Sequence, residues 1–137
     1  NKARTTAEEK AIYLSLQIYA VMQQGASKPE RGEEKPTRNI GESLRVLRED
    51  ENKAKAMDER FNTMVTAESF EELAHYLRQV VKILKANAVN PSVNYPKLAN
   101  DLFWMQKGKQ DNILMDWARA YYQTFQKRTV EKENTNE

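Results

Sequence analysis

Arg78, Lys82 and Lys85 recur at i, i+4 and i+7 in a stretch with a clear helical period, so they share one stripe of a helix. Farther along, Lys107 and Lys109 flank Gly108. Between Arg78 and Lys109 the cations Arg78, Lys82, Lys85, Lys97, Lys107 and Lys109 face one acid, Asp101. Cations arrayed in this way can follow a phosphate backbone without reading bases, and such binding is salt-sensitive. A solvated helix face accounts for the pattern equally well. Trp104 and Trp117 lie within apolar helix stripes, which favours core positions over base-stacking platforms.

Other chemistries have little raw material. Asp58-Glu59 and Glu71-Glu72 are adjacent pairs, and neighbours on a helix point in different directions, whereas acid–base catalysis needs a converging pair. His75 is the one histidine, and a lone histidine is more often a packing or surface residue than a general base. There is no Cys, so disulfides and thiolate metal sites are excluded, and no cofactor is expected. Walker loops, dinucleotide-binding glycines and nucleophile elbows are missing too. The sequence reads as that of a non-enzyme.

These side chains must be held by helices. Only four Gly and four Pro occur, the apolar period is near 3.6, and no alternating strand pattern stands out. Thr5 or Thr6, with Glu8 or Glu9, predicts a capping box opening a first helix that runs to about Gln23 and is closed by Gly25. Ile12, Leu16, Ile18, Tyr19 and Met22 make that helix apolar on several faces, which predicts a central position. Residues 25–38 combine Pro, Gly and alternating charge and predict a solvated loop. A second helix around IGESLRVLRED turns Ile40, Leu44 and Leu47 inward and leaves Arg45 and Arg48 elsewhere on its surface, as further candidate cations.

A third helix, about Lys53 to Thr66, places Met57, Phe61 and Met64 inward. Ser69 with Glu72 predicts a second capping box, opening a helix with Phe70, Leu73, Leu77, Val80 and Leu84 on its stripe. Asn94 can cap a fifth helix with Pro96 in its first turn, and Gly108 ends it in a left-handed conformation. The last helix carries Ile113, Leu114, Trp117, Tyr121 and Phe125.

The length of 137 residues suits one domain, or two small lobes sharing a core. Residues 1–52 hold nine cations and nine anions and form the expected N-terminal lobe. Residues 53–130 hold twelve against eight and form the expected C-terminal bundle, and 131–137 reads as a disordered acidic tail. The apolar-rich run AIYLSLQIYAVM is too short and polar to span a bilayer, and no signal-peptide pattern is present, so a cytoplasmic protein with no membrane partner is expected. The missing initiator Met suggests a start inside a longer chain or after processing.

Three collinear segments then point to a family. NIGESLRVL, ERFNTMVTAESFEELAHYLRQVVKILK and NYPKLANDLFWMQKGKQDNILMDWARAYY resemble, in order and spacing, the CasB family, the small subunit of the type I-E CRISPR Cascade complex. The last block is the most distinctive, with Tyr95-Pro96, Leu98-Ala99, Trp104, the basic turn Lys107 to Lys109, and Asp116-Trp117. The resemblance covers roughly residues 10 to 125. Family members usually carry further helical sequence before the segment matching AEEKAIYLSLQIYAVM, so the N-terminal lobe is expected to be incomplete.

The resemblance implies an all-α, two-lobed bundle of about six helices, without catalytic activity. It implies assembly in two copies with other Cascade subunits along a crRNA-guided antiviral complex. There a basic groove would hold the target and displaced DNA strands of the R-loop, with the crRNA a further candidate partner. Carried over by position, Arg60, Arg78, Lys107 and Lys109 fall where the family places basic residues, and Gly108 takes a slot that can be basic in relatives. Lys82, Lys85, Arg45 and Arg48 complete the expected nucleic-acid-binding set. The rival is a helical adaptor that binds only protein, with a replaceable Arg78–Lys82–Lys85 stripe.

Overall fold

The computed structural model describes residues 5–24 and 38–135, with side chains through Tyr122. Six α-helices occur among these residues: α1 Ala7–Gln23, α2 Ile40–Leu44, α3 Glu51–Val65, α4 Phe70–Asn87, α5 Tyr95–Trp104 and α6 Gln110–Thr135. A 3-10 turn, Arg45–Glu49, extends α2, so the second helix tightens halfway along its expected length. Gly25, residues 26–37 of the expected loop, and the last two residues lie outside the described residues. So does the Phe125 side chain.

The caps follow from short polar side chains at helix starts. Thr6 Oγ1 accepts from the Glu9 N–H at 3.1 Å, and the Glu9 carboxylate accepts from the Thr6 N–H at 3.0 Å, completing the capping box. Ser69 Oγ accepts from the Glu72 N–H at 3.0 Å, the forward half of the second expected box. Asn94 Oδ1 accepts from the Lys97 N–H at 3.0 Å, with Pro96 in the first turn of α5. Asn39 and Asp50 cap α2 and α3 in the same way, accepting from Glu42 N–H at 3.1 Å and Asn52 N–H at 3.0 Å.

One continuous apolar core joins all six helices. Met57, Phe61 and Met64 of α3, and Leu73, Leu77, Val80 and Leu84 of α4, are buried as the stripes predict. Trp117 and Tyr121 of α6 are fully buried, and Tyr121 stacks on Phe61 with ring centroids 3.9 Å apart. Gly108 has φ of 86°, the left-handed region that a side chain disfavours. There the chain turns back, and the Trp117 indole N–H reaches the Asp101 carboxylate at 2.9 Å. Helix α6 continues to Thr135, through most of the segment read as an acidic tail, and neither Gly nor Pro follows Gly108 to interrupt it.

Two expectations are corrected. Helix α1 is not central: it buries Ala11, Leu14, Ser15, Ile18 and Met22 but exposes Ile12, Tyr13, Leu16 and Tyr19. It lies against α4 and α5 on one side only, and small Ala11 and Ser15 allow that side to approach closely. The Ser15 hydroxyl is satisfied by the Ala11 carbonyl at 2.8 Å. Trp104, expected in the core with Trp117, is 44% exposed. The buried face of α5 and the turn after it is Leu98, Asp101, Leu102 and Met105, and at about 100° per residue Trp104 falls on its flank.

Candidate nucleic-acid interface

The three cations of α4 line its seam with α1. An Arg78 Nη1–H donates to Gln17 Oε1 at 3.3 Å, and the Lys85 ammonium donates to the Met22 carbonyl at 3.3 Å. Met22 lies in the last turn of α1, where carbonyls lack helical partners and attract a cation. Arg78 and Lys85 therefore also tie α1 to α4. Lys82, between them, is exposed and makes no hydrogen bond or ion pair among the described residues. The row spans about 10 Å at 1.5 Å per residue, long enough to meet neighbouring phosphates of an extended strand.

Arg60 occupies a different flank. It edges a groove of about 270 Å³ between the 3-10 turn, α3 and α4, floored by Val46, Leu47, Met57 and Ile83. Lys53 borders the same groove and donates to Asn87 Oδ1 at 3.2 Å. Ile83 and Asn87 lie five and nine residues beyond Arg78, which puts them on the side of α4 away from it. Arg60 is exposed and without a partner among the described residues. Lys53 was missed by the sequence reading, although its i, i+7 spacing from Arg60 on one helix was the signal that could have found it.

Lys107 and Lys109 project from the α5–α6 corner, both exposed and neither in an ion pair among the described residues. The Lys107 ammonium lies 5.8 Å from the Phe103 ring centroid. The corner is fastened by side-chain amides: Gln106 donates to the Ala7 carbonyl at 3.0 Å and Gln110 to the Ala67 carbonyl at 3.1 Å. Asp101, the one acid in the basic run, is buried and ion-paired with Lys97 at 3.1 Å. Its charge is drawn inward, away from the lysines of the corner.

Arg45 and Arg48 are placed otherwise. Arg45 is half-buried and lies 3.7 Å from the Glu42 carboxylate. Arg48 binds Asp58 through Nε at 2.8 Å and Nη2 at 3.0 Å, with its guanidinium carbon 4.9 Å from the Tyr122 ring centroid. Asp58 also accepts from the Tyr121 hydroxyl at 2.7 Å. Burial would lift the Asp58 carboxyl, but its bonds from Arg48 and Tyr121 outweigh that and hold it below its ordinary value. Burial, and then the hydrogen bond to Asp58, push the Tyr121 phenol far up.

The candidate acid–base groups do not converge. Asp58 is committed to this network and Glu59 points to solvent. His75 is exposed, its Nε2 3.2 Å from Gln79 Nε2. Among the described residues no group of three or more His, Asp or Glu could hold a metal ion. No described helix is long and apolar enough to cross a membrane.

Comparison with known proteins follows the same outline. The family model for CRISPR-associated protein Cse2 matches residues 1–122. The fold is similar to that of CasB from Thermobifida fusca, with a TM-score of 0.70 and 22% identity, over 83% of this chain and 63% of that one. It is similar to CasB from M. ruber, with a TM-score of 0.70 and 24% identity, over 98% of this chain and 70% of that one. The chain thus spans about two thirds of the length of either protein. No curated sequence relative matches it.

Proposed function

The chain belongs to the CRISPR-associated Cse2 family, and from that premise we propose that it is the non-catalytic small subunit of a type I-E, crRNA-guided Cascade complex. In this reading it works in the cytoplasm beside other Cascade subunits and a second copy of itself. It holds the target and displaced strands of the R-loop by their backbones, with the crRNA within reach. The observation that carries the reading is that Arg60, Lys82, Lys107 and Lys109 stand exposed without an ion-pair partner among the described residues. Cations kept free of internal carboxylates are available to displace counterions from phosphate.

R-loop formation exchanges one duplex for another of similar stability, so a few backbone contacts can tip it. Contacts of this kind fix position and carry no sequence information, which suits a subunit that leaves base reading to the guide. Arg78 and Lys85 can serve the strand and the α1–α4 seam together. The guanidinium of Arg48 is occupied by Asp58 and serves the core.

The test is charge reversal at Arg60, Lys82 and Lys107 in the assembled complex, with R-loop lifetime as the readout. The variant should shorten that lifetime. The log–log salt dependence of single-strand binding should also flatten by about 2, at roughly 0.7 per lost phosphate contact. An unchanged lifetime and slope would overturn the assignment. The protein-adaptor reading has one observation in its favour, the bare apolar face of α1 at Ile12, Leu16 and Tyr19. It expects no loss of strand binding in the same variant.

A further inference from the structure

We propose that Trp104 is a stacking platform for one unpaired base of a bound single strand, with Lys107 and Lys109 on the phosphates beside it. The proposal rests on the nucleic-acid reading above and adds a contact to the base that the basic residues cannot make. The chain has two tryptophans in opposite situations: Trp117 is fully buried, and Trp104 is 44% exposed. The Trp117 indole N–H is satisfied by Asp101, whereas that of Trp104 has no partner among the described residues. Trp104 thus leaves part of a large aromatic side chain exposed.

The surroundings of Trp104 suit a nucleobase. Phe103 meets it edge-on, with centroids 5.0 Å apart and planes at 80°, which buttresses the indole without covering both its faces. The Lys107 ammonium lies 5.8 Å from the Phe103 ring, so a cation stands next to the aromatic pair. Gly108, in its left-handed conformation, turns the chain so that Lys109 leaves the same corner. Binding of single strands combines these two elements, aromatic rings for the bases and free cations for the phosphates between them. Glu8 and Glu9, brought to this end by the Gln106–Ala7 bond, and Asp111 at the start of α6 are the nearby acids, and none forms an ion pair with Lys107 or Lys109. The exposed Ile12 and Leu16 of α1 are aliphatic, and its exposed aromatics Tyr13 and Tyr19 are smaller rings, Tyr19 already meeting Tyr95 edge-on at 5.1 Å.

The full chain would be titrated with labelled oligothymidine and oligouridine and with a base-free sugar-phosphate strand of equal length, following anisotropy and tryptophan fluorescence together. Either base-bearing strand should quench wild-type fluorescence. Trp104→Phe should abolish the quench while keeping affinity within about threefold, since a ring remains to stack on. Trp104→Ala should weaken binding of the base-bearing strands about tenfold and leave the base-free strand unaffected. Circular dichroism checks that both variants keep the helical fold. Quenching that survives Trp104→Phe, or wild-type affinity in Trp104→Ala, overturns the stacking site. If Lys82→Glu still weakens binding in that case, the backbone reading stands without it. Absence of binding to every strand overturns both.

Discussion

Asp58 joins three parts of the chain through a single carboxylate. Arg48 reaches it from the 3-10 turn with two bonds, and Tyr121 reaches it from α6 with one. The group is about three-quarters buried, so removing it takes their shared acceptor from a guanidinium and a phenol. Asp58→Ala should therefore lose about 2–3 kcal/mol in urea unfolding at neutral pH. The pH dependence has a definite sign. Because the folded carboxyl titrates below its ordinary 3.8, the folded state binds fewer protons than the unfolded state as pH falls. The stabilisation is present above about pH 4 and disappears as pH drops through the depressed value. Wild type should lose stability more steeply than Asp58→Asn below that point, and parallel curves would remove the network from the account. None of this was legible in the sequence, where Asp58 shows only as half of an Asp-Glu pair. Its partners lie 10 and 63 residues away, and no local periodicity connects them.

At the scale of elements, the local signals were readable and the long-range ones were not. Thr6, Ser69 and Asn94 announce helix starts because a short polar side chain before an apolar stripe can bond only the free N–H groups of the first turn. Gly108 was readable too, as a corner. Gly41 was not, although it limits packing more tightly. A Cβ built on Gly41 would sit 2.1 Å from the Trp117 carbonyl oxygen, so α2 and α6 touch backbone to backbone there. At Gly108 a Cβ would meet nothing within 4 Å, and the penalty of a side chain comes from φ alone. Gly108→Ala should cost about 1–2 kcal/mol, while Gly41→Ala should cost about 3 kcal/mol or more, because two helices must part. Denaturant unfolding of the two variants checks the order. A larger loss at Gly108 would mean that the α2–α6 contact yields easily. The faces of α1 and α5 were misread for a related reason: several apolar stripes compete on α1, and only its neighbours decide which is covered.

At the scale of the molecule, the described parts of the expected N-terminal lobe and C-terminal bundle meet in one core. Leu14 and Ile18 of α1, and Ile40 and Leu44 of α2, belong to the same buried cluster as Leu77, Trp117 and Tyr121. Lobes that share a core have little apolar surface to bury separately, and among the described residues the core forms a single cluster. The two halves should therefore unfold in one transition. In a Trp104→Phe background the remaining Trp117 reports on the α6 core, while far-UV dichroism reports on all the helices, and the two melting curves should coincide. Ile18→Ala removes a fully buried side chain from α1 and should cost about 2–5 kcal/mol. Although Ile18 lies in the N-terminal half, it should lower the midpoint seen by Trp117 as much as that seen by the helices. A Trp117 signal that stays in place while part of the helical signal melts early would show α1 leaving the bundle independently. The lobes would then be separate cooperative units that happen to touch.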